Sequence, residues 1–448
     1  MLTTIPTLKQ QQPVSLSNLE APQLLAYFQN TWAVYEWLFS AIKEPATYYT
    51  SPDPLRNPLI FYWGHTAAFY VNKMLAAGLL QEGINADYEL LFARGVDPDL
   101  PENLEVQDLW PSLAEVNAYR QAVKQLVEHC ITTQNYPETI DDQHPLWAIL
   151  MGIEHDRIHF ETSSVLLRQV PVEDLQAPEG WKYAHSEGLP PDNQLLAVAG
   201  GTVMLGKKQS SDLYGWDNEY GQLEQEVAPF EASQNLISNQ DYLLFYESGA
   251  YQAAEFWSEE GWAWKERTQT QHPKFWVPSD KGFLYRAMFE EQLMPLDYPV
   301  EVNCHEALAY CNWLGQGFRL IKEAEFQLLV QRELQERDCA FEDCYNLNLK
   351  FGSPNPVGSL PKPQKALEFN DLLGNVWEWL QDNFYPLPGF QTHPLYDDFS
   401  APYFDEEHTM MAGGSWASTG TGASRFYRLW FRRHFYQHAG FRLARDKQ

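Results

Sequence analysis

Between Ala21 and Ile42, Leu24, Leu25, Phe28, Trp32, Tyr35 and Leu38 recur at spacings of three and four, the apolar stripe of an amphipathic helix. A second run, Leu59 to Leu80, opens behind Asn57-Pro58 and closes near Gly83. A third is predicted after Trp110-Pro111, with Ser112 as cap and Glu115 at capping-box spacing, reaching about Cys130. A fourth starts near His144-Pro145 and continues through Leu167. Four such helices predict a helical bundle, with a long connection from Gln81 to Pro111.

Beyond Pro171 the pattern changes. Pro178, Gly180, Gly188, Pro190 and Pro191 mark a linker, and short apolar runs separated by turn residues follow. Leu195 to Leu205 (LLAVAGGTVML) predicts strand, glycine turn, strand. Helical periodicity returns in Cys304 to Leu314 and in Lys322 to Glu336. The expected division is therefore a helical domain over 1–185 and an irregular α+β domain over 186–448.

Composition narrows the function classes. The chain has 448 residues, 44% hydrophobic and 15% aromatic, enough to build two cores. A formal net charge of −29 argues against nucleic acid or an anionic membrane face as partner. The five cysteines do not form a secreted disulfide framework. The first residues lack the apolar core of a signal peptide, and no uninterrupted apolar run has the length of a membrane span. A cytoplasmic protein without a membrane partner is expected.

The chemistry concentrates in IEHDRIHFE, Ile153 to Glu161. On a helix, residues four apart lie about 40° apart around the axis and about 6 Å along it, so His155 and His159 can converge on one metal ion. A third ligand has to come from another helix. His65, inside the apolar run FYWGHT, is the best candidate, with Gly64 beside it allowing close helix approach. His129 could also serve, whereas His144 lies roughly 16 Å from His155 along the helix. Glu161 points about 200° away from His159 and suits an outer role. Three histidines with open positions suit iron or zinc, and the donor set alone leaves the metal open.

GHTAAFYVNKM (Gly64 to Met74), EHDRIHFETSSVLLRQ (Glu154 to Gln169) and GGSWASTGTGASRFYRLWFRRHFYQHAGFRLA (Gly413 to Ala444) resemble the ovothiol synthases, the 5-histidylcysteine sulfoxide synthases, over nearly the whole chain. NDLLGNVWEW (Asn370 to Trp379) is similar to the signature of formylglycine-generating-enzyme-like domains. The resemblance implies an α + (α+β) architecture. A DinB-like four-helix bundle would be followed by a formylglycine-generating-enzyme-like domain of C-type-lectin type that covers the active site. It also implies Fe(II) on His65, His155 and His159, with cysteine, histidine and O2 as substrates and a C–S-bonded sulfoxide as product. A tyrosine near the iron is implied as well, and LYDDFS favours Tyr396 over Tyr403. Asn72, Arg94, Arg432 and Arg433 are the candidate substrate-binding residues, since carboxylates favour bidentate arginine.

Many ovothiol synthases continue into a methyltransferase domain. No GxGxxG-type loop follows a strand here, so methylation is expected to need a separate protein. Ile158 stands where ergothioneine-pathway relatives commonly carry glutamine, which favours the ovothiol-type reading without deciding which histidine derivative is bound. Four alternatives stand beside this reading: an ergothioneine-type synthase acting on trimethylhistidine, a zinc-dependent DinB-like thiol transferase, a non-enzymatic metal-containing binding module that would leave the tyrosine and arginine run without a role, and formylglycine generation. The last relies on late cysteines, and none follows Cys344.

Overall fold

Among the described residues, five α-helices form the first part of the chain: α1 (Ala21–Phe39), α2 (Leu59–Ala76), α3 (Ala86–Leu91), α4 (Leu113–Thr133) and α5 (Trp147–Leu167). Ser112 and Glu115 make the expected capping box at the start of α4. Helix α3 interrupts the predicted Gln81–Pro111 loop. Its cap is Asn85, whose side chain accepts from the backbone of Asp87 and Tyr88, and six residues are too few to show a periodic stripe. The computed structural model describes residues 12–447 except 94, 96, 99, 105–108, 335–343 and 362–367.

Helices α1, α5, α2 and α4 pack in a ring, each against two neighbours, giving the four-helix bundle. Its core is aromatic: Tyr27, Phe28, Trp32, Tyr35 and Tyr70 are wholly buried. The hydroxyls of Tyr27 and Tyr35 find partners across helices, Tyr27 donating to Glu154 at 2.6 Å and Tyr35 to the Tyr62 carbonyl at 2.9 Å. Arg120 of α4 is buried between the rings of Trp63 and Trp32, 3.8 and 4.5 Å from their centroids. Its Nη1 donates to the Trp63 carbonyl at 2.6 Å and to Thr66 at 3.0 Å, tying α4 to α2.

The closest approach of α2 and α5 depends on Gly152. A Cβ there would lie 2.3 Å from the Tyr70 ring, and Tyr70 is fully buried. Gly152→Ala gains about 1 kcal/mol of helix propensity but overpacks a closed site at a cost of about 1–3 kcal/mol. The expected result is a net loss of stability with weakened metal binding, because α2 and α5 carry the histidines. Chemical denaturation and metal titration of the variant check both.

The chain divides into two compact units. The first comprises residues up to Gly180 together with 210–214 and 393–397, and the second comprises 181–209, 215–392 and 398–448. The division thus falls at 180/181 rather than 185/186, and two short segments assigned from sequence to the second domain belong to the first. Asp212 accepts from the Leu16 and Ser17 amides at 2.8 Å, and the Tyr214 ring lies 4.8 Å from that of Trp147.

The second unit is mixed. Its strands are β1 (Leu195–Val198), β2 (Gly201–Leu205), β3 (Leu223–Val227), β4 (Phe230–Ser233), β5 (Trp276–Ser279), β6 (Gly282–Arg286), β7 (Glu291–Leu293), β8 (Arg319–Leu320), β9 (Trp377–Asn383), β10 (His408–Ala412), β11 (Leu429–Arg432), β12 (Ala439–Gly440) and β13 (Leu443–Asp446). Two four-stranded sheets, β1-β4-β13-β8 and β11-β10-β9-β12, accompany a β2-β3 hairpin and the meander β5-β6-β7. LLAVAGGTVML does hold two strands, but they pair with β4 and β3 and not with each other.

Helices α8 (Cys304–Leu314) and α9 (Glu323–Leu334) lie where expected. Helices α6 (Asn239–Glu247) and α7 (Glu259–Thr268) are additional, short and capped by Ser238 and Ser258. The two family-like motifs meet through a buried ion pair. Arg442 of GFRLA lies 3.1 Å from Glu378 of NVWEW, and its guanidinium also donates to the carbonyls of Ser233, Gln234 and Asn370. Among the described residues no helix is long and apolar enough to cross a membrane.

Glu306, third residue of α8, accepts from the Asn303 amide at 2.9 Å and from the Tyr251 hydroxyl at 2.7 Å. Burial pushes its carboxyl up from 4.5 to about 7, against the lowering effect of those bonds. The folded state therefore binds this proton more tightly than the unfolded one, and the group's contribution to stability falls as pH rises from 4.5 to about 7. In denaturant melts at pH 5 and pH 8, wild type should lose roughly 1–3 kcal/mol relative to Glu306→Gln over that window. A parallel pH dependence of the two proteins would contradict this assignment.

Candidate metal centre

His65 sits mid-way along α2, and His155 and His159 occupy successive turns of α5. Each offers one ring nitrogen within 4.8 Å of the others, and among the described residues no other group of histidines, cysteines and carboxylates gathers in this way. Ring centroids are 4.4 Å apart for His155 and His159, 4.6 Å for His65 and His159, and 5.0 Å for His65 and His155. The helical spacing of His155 and His159, and a third histidine reaching them from α2, are as read from the sequence. His129 and His144 stand apart from the cluster, and His144 Nδ1 accepts from the Leu146 amide at the start of α5.

Burial holds all three imidazoles neutral. It lowers His65 to about 4 and His155 and His159 well below the usual histidine range; proximity to one another adds to the effect at His155 and His159. Neutral imidazole is the form that donates a lone pair to a metal. The Nδ1 of His65 is 2.6 Å from the Phe92 carbonyl, which can only accept, so Nδ1 carries the proton and Nε2 is the free donor. The buried Nδ1 atoms of His155 and His159 have no hydrogen-bond partner. Orphaned nitrogens on two of three converging neutral imidazoles are costly without a ligand, and a metal ion satisfies this donor set. The residues fit the group.

Phe69, one turn after His65, stacks on the His155 ring at 3.5 Å between centroids and 5° between planes. It was not read from the sequence, although its i, i+4 spacing from His65 is the signal that would have found it. Gly64 admits a neighbour other than the one expected. A Cβ there would lie 2.6 Å from the Phe92 ring, so the glycine admits the residue whose carbonyl orients His65 and not a packed helix.

Tyr396 joins the first unit, its ring 6.1 Å from that of His155 and 5.2 Å from that of Phe69. Tyr403 belongs to the second unit and stacks on Trp430 at 3.8 Å. The other candidates have structural partners. The Asn72 side chain donates to the Glu89 carbonyl at 2.9 Å, bracing α3 against α2. Arg432 and Arg433 belong to the second unit. Arg432 pairs with Glu407, and Arg433 bonds Glu260 at 2.9 Å and Asn383 at 2.7 Å. A helical or strand register says nothing about such pairing, which is why sequence alone made them candidates. Arg94 lies outside the described residues.

The DinB superfamily matches residues 27–163, and the Sulfatase-modifying factor enzyme 1-like domain matches residues 184–447. The chain is 27% identical over 438 residues to the hercynine oxygenase of Mycolicibacterium thermoresistibile, spanning 88% of each chain. It is 26% identical over 434 residues to the hercynine oxygenase of Mycolicibacterium smegmatis, spanning 88% of this chain and 92% of that one. With ergothioneine biosynthesis protein 1 of Schizosaccharomyces pombe it shares 26% identity over 456 residues, 91% of this chain and 53% of the yeast protein.

Proposed function

Because the chain belongs to the Sulfatase-modifying factor enzyme 1-like domain family and carries a DinB-superfamily domain ahead of it, we propose that it is an iron- and oxygen-dependent sulfoxide synthase of the hercynine-oxygenase kind. The likeness to hercynine oxygenases runs through both domains, and the chain is an oxygen-dependent, sulfoxide-forming enzyme. The observation that carries the reading is the cluster of His65, His155 and His159 with Tyr396 beside it. The balanced reaction joins a thiol and an imidazole C–H. With one O2, R–SH and imidazole–H give R–S(O)–imidazole and one water, O2 accepting the four electrons released by C–S and S–O bond formation.

The names of the relatives favour hercynine, trimethylated histidine, as the imidazole substrate, ahead of the free histidine expected from the ovothiol-type resemblance. Free histidine, the substrate of the ovothiol-type resemblance, stands as the second reading, with Ile158 before His159 as the position where the chain departs from the glutamine of ergothioneine-pathway relatives.

His65, His155 and His159 would hold Fe(II), whose chemistry there is to ionise a bound thiol and exchange electrons with dioxygen. The protein's own part is orientation. The Phe92 carbonyl keeps the proton of His65 on Nδ1, and Phe69 fixes the plane of the His155 ring. With the metal held by these residues, thiol, imidazole and oxygen would react as neighbours rather than by chance encounter. The Tyr396 ring lies 6.1 Å from that of His155, and its hydroxyl is the group assigned to give or take a proton during coupling.

Anaerobic loading with Fe(II), then O2 with cysteine and an equimolar mixture of hercynine and histidine, tests the reading by product mass. The expected product is one imidazole plus the thiol plus one oxygen minus two hydrogens, formed from hercynine in preference to histidine. Coupling to histidine alone would favour the second reading. Oxygen uptake without a coupled product, or activity with zinc and no oxygen demand, would overturn both.

A further inference from the structure

Lys73 lies two turns beyond His65 on α2, with Phe69 between them at i+4. Its ammonium donates to the Leu395 carbonyl at 2.6 Å and sits 4.0 Å from the centroid of the Tyr396 ring and 4.9 Å from that of Phe69. One cation thus grips the backbone before Tyr396 and faces the tyrosine ring itself. The segment 393–397 is far from α2 in sequence and has no helix or strand of its own to hold it. His393 adds ties at the start of the segment. The Leu395 amide donates to His393 Nδ1 at 3.1 Å, which leaves the proton on Nε2 to reach the Asp142 carbonyl at 3.3 Å. The His393 ring also lies parallel to that of Trp147, 6.2 Å between centroids.

We propose that Lys73 is a positioning residue, the latch by which α2 holds the returning segment 393–397 so that Tyr396 stands beside His155. Two interactions made by one ammonium act in the same direction. The charge-assisted bond to Leu395 fixes the height of the segment, and the cation–π contact fixes the rotation of the Tyr396 ring. His65, Phe69 and Lys73 then form a continuous line on α2, the first contributing to the metal cluster, the second stacking on His155 and the third holding the tyrosine. A catalytic consequence rests on the proposed sulfoxide synthase reading; the positioning itself does not.

The test uses the full chain with Lys73→Met, which keeps length and removes charge and donor, and Lys73→Arg, which keeps both. In metal-free protein, amide hydrogen exchange across 393–397 should be about tenfold faster in Lys73→Met and close to wild type in Lys73→Arg. In the iron-loaded enzyme, Lys73→Met should lower kcat with little change in either KM. Lys73→Met combined with Tyr396→Phe should be no slower than Tyr396→Phe alone, since the latch acts only through the tyrosine. Unchanged exchange in Lys73→Met overturns the proposal, as does faster exchange with unaltered kcat or a double variant slower than Tyr396→Phe. Faster exchange in a protein whose wild type forms no sulfoxide would leave the latch standing and remove the functional reading instead.

Discussion

Replacing His155 with alanine is expected to abolish sulfoxide formation and to cut iron affinity by more than about a hundredfold, the upper end of what losing a supporting partner alone costs. His155 is tied into the cluster: its ring is 4.4 Å from His159 and 5.0 Å from His65, and it stacks on Phe69. The bundle should survive, because the Tyr70–Gly152 contact and the Arg120 ties between α2 and α4 do not involve it. Thermal unfolding separates the two effects. Wild type should gain about 2.7 kcal/mol of stability with Fe(II) at a hundred times its Kd, and His155→Ala should gain less than about 0.4 kcal/mol at the same concentration. A variant that gains as much stability from Fe(II) as wild type and still couples thiol to imidazole would place the metal elsewhere.

Tyr396→Phe is expected to lower kcat by about 10²–10⁴, the range for loss of a group that transfers a proton in the transition state. The substitution keeps the ring that packs against Phe69 and lies under Lys73, so only the hydroxyl changes. KM values and iron content should stay near wild type, which separates this outcome from misfolding. Tyr403→Phe serves as the control: its ring is stacked on Trp430 in the second unit, and removing its hydroxyl should leave kcat unaltered. Equal rates for Tyr396→Phe and wild type would remove the tyrosine from the mechanism.

The four long helices were legible because each carries several turns of apolar stripe, and α4 has an unambiguous cap in Ser112 and Glu115. The HxxxH pair was legible for the same reason, since helical spacing alone brings His155 and His159 together. Local spacing says nothing about chain segments that meet from far apart. The place of 393–397 in the first unit, and with it the contact of Tyr396 with His155, depends on a return of the chain across more than two hundred residues of sequence. Helices α6 and α7 escaped detection because nine and ten residues hold too few turns for a stripe to stand out. Asn72, Arg432 and Arg433 show a further limit. Their residue types suit substrate recognition, but their hydrogen bonds are taken by Glu89, Glu407, Glu260 and Asn383. Gly64 was correctly marked as a point of close approach, with the wrong partner, because a missing Cβ does not say which side chain fills the space.

Iron K-edge absorption on Fe(II)-loaded protein, compared between wild type and His155→Ala, tests most directly whether these three imidazoles hold one ion. The account predicts outer-shell scattering from three histidine rings in wild type and its loss or sharp reduction in the variant. Iron bound without imidazole scattering, or a spectrum the variant leaves unchanged, would contradict it.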